Sequence, residues 1–298
     1  MMDRKLDHEL VNPGHVACPG CGAVLAMRYV LNVLGPKTIL VLPACCWSVI
    51  MNRYPNAAVK IPVFHTAFET AACVASGVRA GLEMKGDLDT NVLAWAGDGG
   101  TFDIGLQALS GAAERNDDFI FVCYDNEAYM NTGVQRSSAT PPAARTATTM
   151  AVGQHPGNVF GTGKNVPLIA MAHQIPYVAT ASVANLRDLE VKVMRAMGIG
   201  GSRYIHIHVP CPLGWGSAPA DTIKIARLAV ESGLFPLFEA EDGEITGRHQ
   251  LRRRVPVEEY LKLQRRFAHL FGKEPDVHTI AAIQAIADRN VRTFGLQS

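Results

Sequence analysis

The chain has 298 residues, of which 28 are Lys or Arg and 27 are Asp or Glu, for a formal net charge of +1. That balance excludes a strong overall field for a polyanion or an anionic membrane, and 48% hydrophobic residues exclude a disordered or collagen-like chain. Only 18% of residues are charged, against roughly 25% in an ordinary soluble domain, which predicts that part of the surface is hidden against other subunits.

Met1 to Glu9 mixes both charges and lacks an apolar core, so no secretory signal is expected there. Val24 to Leu34 has helical spacing and stops at Gly35 and Pro36. Thr38 to Leu42 reads as a buried strand, and the apolar stretch from Thr38 to Ile50 is too short to span a bilayer. A helix follows over Ala67 to Lys85, a strand over Asn91 to Ala96, a helix over Phe102 to Arg115 and a strand over Phe119 to Tyr124. Further on, Val166 to His173, Asn185 to Met197 and Asp221 to Ser232 read as helices, with strands at Tyr177 to Ala181 and Tyr204 to Val209. This alternation predicts an α/β fold: a mostly parallel sheet with helices on both faces. The protein is expected to be cytoplasmic, with no membrane span.

Two stretches depart from the average. Between Ala128 and Leu186 only Arg136, Arg145 and Lys164 are charged, and Asn131 to Thr149 is rich in Thr, Ser, Ala and Pro. That is too long for an ordinary connection and too uncharged for a solvated linker, so a functional loop or a subunit contact is expected. By contrast, Glu239 to Asp276 holds 16 charged residues in 38, including Arg252, Arg253 and Arg254. It reads as solvated surface, and nucleic-acid binding is not expected. The predicted division is a main domain over residues 1–240 and a charged helical extension over residues 241–298.

The run Trp95-Ala96-Gly97-Asp98-Gly99-Gly100-Thr101 follows a strand and opens a helix. Glycines let the backbone turn sharply, and a helix N-terminus suits a phosphate. A carboxylate there repels phosphate unless a cation lies between, and Mg²⁺ takes a carboxylate, neutral oxygens and phosphate oxygens together. The next strand ends in Asp125-Asn126-Glu127-Ala128. If the two strands are neighbours, Asp98 and Asn126 emerge at the same carboxyl edge of the sheet, where ligands of open α/β sheets bind.

The seven cysteines are odd in number and accompany no export signal, which argues against a disulfide framework. Cys18-Pro19-Gly20-Cys21 is a C-x₂-C motif, compatible with zinc, a redox dithiol or an iron–sulfur cluster. Cys45, Cys46 and Cys211 follow strands and can reach the same sheet edge. Cys73 and Cys123 sit in apolar helix and strand patterns and are expected to be buried and inert.

The segment GDGGTFDIGLQALSGAAERNDDFIFVCYDNEAYMNTGVQRS, with the cysteine motif before it, resembles the β subunit of pyruvate:ferredoxin oxidoreductase. The likeness runs from residue 18 to about residue 240. It implies a thiamine diphosphate-binding fold in which Asp98, the Asn126 side chain and the Ala128 carbonyl hold Mg²⁺. Gly97, Gly99, Gly100 and Thr101 would lie along the diphosphate, and Asn131 would face the reaction centre. Cys18, Cys21, Cys46 and Cys211 would hold a [4Fe–4S] cluster, with Cys45 left over. The implied activity is thiamine-dependent oxidative decarboxylation of a 2-oxo acid to acyl-CoA and CO₂, with coenzyme A as co-substrate and electrons passing through the cluster to ferredoxin. The implied partners are an α-type subunit that supplies the catalytic glutamate, γ- and δ-type subunits with ferredoxin-like clusters, and ferredoxin. On that reading Glu69 is structural or a minor contact, and His65 is left unassigned. The family has a small residue where this chain has Phe102, which bears on the choice among pyruvate, phenylglyoxylate, oxalate and 2-oxoglutarate. The reading of another class is a non-catalytic electron-transfer or zinc-stabilised subunit.

Overall fold

The computed structural model describes residues 9–53 and 55–297. The N-terminal segment expected to lack a signal falls mostly outside them. Ten strands and ten α-helices are described, and eight of the strands form one sheet. The helices are α1 (Gly22–Leu34), α2 (Cys46–Ile50), α3 (Ala71–Met84), α4 (Leu106–Glu114), α5 (Val166–Ala172), α6 (Leu186–Met197), α7 (Pro212–Trp215), α8 (Thr222–Glu231), α9 (Val257–Leu261) and α10 (Val277–Phe294). The strands are β1 (Thr38–Pro43), β2 (Val63–Thr66), β3 (Asn91–Gly97), β4 (Phe119–Asp125), the small hairpin β5 (Ala151–Val152) and β6 (His155–Pro156), β7 (Tyr177–Ser182), β8 (Ser202–His208), β9 (Phe238–Glu241) and β10 (Glu244–Arg248).

The large sheet runs β10-β9-β7-β8-β4-β3-β1-β2. From β7 to β2 all pairs are parallel, and β9 and β10 add an antiparallel margin. Period-2 alternation sends successive side chains to opposite faces. Leu40, Leu42, Trp95, Val122 and Ile207 pack with residues of α1 and α6 on one side. Val41, Ala94, Phe121 and Tyr204 pack with residues of α3, α4 and α5 on the other. The α/β fold with both faces covered is therefore present. Among the described residues no helix is long and apolar enough to cross a membrane.

Three local features differ from the expectation. The helix expected from Ala67 begins only at Ala71, so Glu69 lies in the preceding turn. The helix expected from Phe102 is preceded by a π-helical turn over Gly99–Ile104, and α4 starts at Leu106. Such wide turns recur at functional sites. Cys73 is exposed, not buried. It lies on the outward face of α3, where alanines already fill the sheet-facing positions.

The charged stretch Glu239–Asp276 is not simply solvated. Val255, Val257, Tyr260, Leu261 and Phe267 are buried in a third apolar cluster with Trp215, Ile225 and Ile283. Its interspersed apolar residues dock it on α8, and Arg266 is only 5% exposed. The expected division after residue 240 falls inside β9, whose Phe238 stacks on Phe294 of α10 at 4.8 Å between ring centres.

Candidate functional site

Strands β3 and β4 are adjacent and parallel, with Gly97 opposite Tyr124, so Asp98 and Asn126 leave the sheet at the same carboxyl edge. Asp98 is buried, and Ser137 from the charge-poor loop donates its hydroxyl to the carboxylate. Burial, followed by the Asp125 carboxylate, pushes the Asp98 carboxyl well above the usual range. With its amide nitrogen turned inward, Asn126 donates to the Ala128 carbonyl at 2.9 Å and to Asp98 Oδ1 at 3.1 Å. Turned the other way, three oxygens converge. That arrangement needs a cation, and its donor set is of the kind Mg²⁺ takes. The residues therefore fit the ion.

The glycines are set tightly. Gly97, Gly99, Gly100 and Thr101 are all buried, and Thr101 Oγ1 donates to the Gly97 carbonyl at 2.8 Å. A Cβ on Gly99 would enter the Tyr129 ring. That tyrosine is fixed by a 2.6 Å hydrogen bond to Asp103, and Lys164 pairs with the same carboxylate at 3.2 Å. Burial raises the Asp103 carboxyl, but hydrogen bonds from Ser138 and Tyr129 outweigh this and hold it below its ordinary value. Gly99→Ala is therefore expected to destabilise the chain by about 1–3 kcal/mol, the usual cost of overpacking. A denaturant midpoint equal to that of the parent sequence would contradict it.

Phe102 turns into the core, edge-on to His206 at 5.4 Å between ring centres. Glu69 and His65 are both exposed near the end of β2.

Cys18, Cys21, Cys46 and Cys211 line a single cavity of about 200 Å³, with Asn126 and Asn131 in the same wall. Contacts between distant segments hold the turns beside the cavity. Gly22 N–H donates to the Pro210 carbonyl at 3.2 Å, and Thr222 donates to the Gly20 carbonyl at 2.7 Å. Gly20 adopts φ +72°, which a side chain would strain, and a Cβ there would press on the Pro219 backbone. Cys211 precedes α7 and accepts from Gly214 N–H at 3.4 Å.

Burial pushes all three of the less exposed thiols up, Cys211 to about 11, and for Cys46 the sulfurs of Cys211, Cys45 and Cys21 add to it. Such thiols ionise readily only beside a metal centre. Cys45 instead caps α2, where its backbone N–H donates to Ser48 Oγ at 3.0 Å. Among the described residues no three His, Cys, Asp or Glu side chains already close on a single metal ion. Four thiols around one cavity are a donor set taken both by tetrahedral zinc and by an iron–sulfur cluster.

Residues 44–207 match the family model for the C-terminal TPP-binding domain of thiamine pyrophosphate enzymes. The pyruvate synthase subunit PorB of Methanothermobacter thermautotrophicus is 51% identical over 267 residues, covering 89% of this chain and 91% of its own. The chain belongs to the PorB/VorB family of 2-oxoacid oxidoreductase subunits. The VorB branch is nearly as similar: the ketoisovalerate oxidoreductase subunit of Pyrococcus abyssi is 48% identical, covering 89% of this chain and 87% of its own. Among solved structures, a 2-oxoglutarate:ferredoxin oxidoreductase from Magnetococcus marinus shares the fold, with a TM-score of 0.59 at 22% identity over 76% of this chain and 81% of that one.

Sequence reasoning missed Trp215, Arg266 and Ser137. Trp215 Nε1 donates to the Asn126 backbone carbonyl at 2.8 Å, and Arg266 pairs with Glu127 between the two proposed ligands Asn126 and Ala128. Only their aromatic and basic types signalled Trp215 and Arg266, and nothing in the sequence signalled Ser137.

Proposed function

We propose that this chain is the cofactor-binding β subunit of a 2-oxoacid:ferredoxin oxidoreductase of the pyruvate synthase type. The observation that carries the reading is the shared cavity, in which Asn126 and Asn131 stand in one wall with four cysteines. Bound at these positions, thiamine diphosphate supplies the carbanion chemistry that releases CO₂ from a 2-oxo acid, and a [4Fe–4S] cluster supplies a one-electron path.

Asp98, Asn126 and the Ala128 carbonyl hold Mg²⁺, and the backbone from Gly97 to Thr101 lines the diphosphate. Asn131, exposed at the cavity, faces the reaction centre. Cys18, Cys21, Cys46 and Cys211 would hold the cluster, in the same cavity that Asn126 and Asn131 line. The cluster would supply a one-electron path toward ferredoxin by way of γ- and δ-type subunits, and coenzyme A would be the acyl acceptor.

The chain's own Glu69 is exposed in the turn before α3, and the carboxylate that activates the cofactor's aminopyrimidine is assigned to the α-type partner. The charge-poor segment offers the surface for that partner. Met150, Val152, Val159 and Phe160 are 52–67% exposed there, and clustered exposed apolar residues mark interaction surfaces.

The test is coenzyme A-dependent viologen reduction by the complete complex with pyruvate, 2-oxoisovalerate, 2-oxoglutarate, phenylglyoxylate and oxalate. Pyruvate is expected to give the highest kcat/KM, and the isolated chain no turnover. A higher value for 2-oxoisovalerate would move the chain to the VorB activity. Failure of every 2-oxo acid would remove the reading.

A further inference from the structure

We propose that Arg266 is a positioning residue that clamps the metal-binding loop from the C-terminal segment. The inference rests on the assignment of Asp98, Asn126 and Ala128 to Mg²⁺.

Glu127 lies between two of those residues with a φ of +66°, in the left-handed region that non-glycine residues avoid. Something must hold it there. Its N–H donates to Asp125 Oδ1 at 2.8 Å, and Thr140 Oγ1 donates to its carbonyl at 2.7 Å. Its carboxylate is gripped by the Arg266 guanidinium, with His208 Nε2 at 3.6 Å.

Arg266 is itself fixed from every side. Its Nε donates to Gln264 at 2.9 Å, and an amino group lies 3.3 Å from the Tyr260 hydroxyl. The guanidinium carbon sits 3.9 Å from the Trp215 ring centre and 4.9 Å from that of Phe267. Trp215 in turn donates to the Asn126 carbonyl. One buried cation therefore holds Glu127 by its charge and Asn126 through the indole. These grips fix consecutive residues whose flanking oxygens converge on Asp98. A planar guanidinium can do both at once, whereas an ammonium supplies charge without a stacking face.

Outer partners of metal ligands typically change metal affinity by 10–100-fold when removed. In the assembled complex, stripped of Mg²⁺ and thiamine diphosphate, Arg266→Met is expected to raise the Mg²⁺ concentration for half-maximal thiamine diphosphate binding by about 10–100-fold. Calorimetry reads this without turnover. Arg266→Lys should recover part of the loss. The double variant Arg266→Met, Glu127→Gln should be no worse than the more damaging single change, because the two act as a unit. Visible absorption of the cluster and subunit assembly should be unchanged.

Unchanged Mg²⁺ dependence overturns the clamp, as does full additivity in the double variant. Loss of cluster and assembly in both the Met and Lys variants also overturns it, since Arg266 is then a packing residue. Asp98→Ala run alongside separates the two levels. If it too leaves binding intact, the site assignment has failed. If it abolishes binding while Arg266→Met does not, only the clamp falls.

Discussion

Asp98→Ala in the assembled complex is expected to weaken thiamine diphosphate binding by more than about 100-fold, beyond what losing an outer partner of a metal ligand costs. Asp98 is the one carboxylate in the oxygen triad with Asn126 and Ala128, and without it the diphosphate has only neutral donors between itself and the protein. Equilibrium dialysis at saturating Mg²⁺ reads the loss, and undiminished binding would refute the assignment. The same residue makes an opposite forecast for the apo chain. Burial and Asp125 raise its carboxyl above the ordinary 3.8. The folded state therefore binds a proton over a pH range where the unfolded state has lost it, so this group's contribution falls as pH rises above 3.8. Asp98→Asn removes that term. Its apo melting temperature should exceed that of the parent sequence at neutral pH, and the gap should narrow toward pH 4. A gap that is constant with pH would show that the carboxyl is not the source.

Cys46→Ser is expected to remove the visible absorption of the anaerobically purified complex, and with it viologen reduction. Cys45→Ser should keep both. The two neighbours differ in what they face. Cys46 lines the cavity with Cys18, Cys21 and Cys211, and burial, followed by the sulfurs of Cys211, Cys45 and Cys21, opposes its ionisation. Cys45 is half-buried at the start of α2, beside Ser48 and Tyr124. A serine oxygen can replace Cys45 in the cap but is a poor ligand for iron in place of thiolate. Retained, dithionite-bleachable absorption in Cys46→Ser would refute the ligand assignment. Colourless protein carrying stoichiometric zinc in the unaltered chain would replace the cluster with a structural site and remove the electron path.

Most of the fold was legible because the central strands are continuous apolar runs between helices with 3.6-residue spacing. The edges were not. Val63–Thr66 is short and half exposed, and β9 and β10 alternate charged with small or apolar residues, so neither carries a core signal. Asp98 and Asn126 could be paired in advance because each ends a readable strand and their chemistry requires a shared cation. The cysteine set was readable as types at turns, but the convergence of Cys211 on the C-x₂-C turn depends on β8 lying beside β4, a crossover that spacing does not encode. Arg266 was hidden for another reason. In a run dense with charge, one guanidinium that is buried under tryptophan looks the same as those in water. The expectation of a buried Cys73 failed because α3 is rich in small residues, which blur which of its faces is buried.

The cavity wall formed by the Gly22–Pro210 hydrogen bond joins segments made far apart in time. At about 5–20 residues per second, Cys211 leaves the ribosome on the order of 10–40 s after Cys21. Until β8 slots between β4 and β7 in the middle of the sheet, the first three cysteines have no fourth wall. On the proposed cluster assignment, metal loading is a late event in the life of the chain. It follows completion of the sheet instead of nucleating it, and a nascent chain arrested before β8 presents an open, oxidisable half-site.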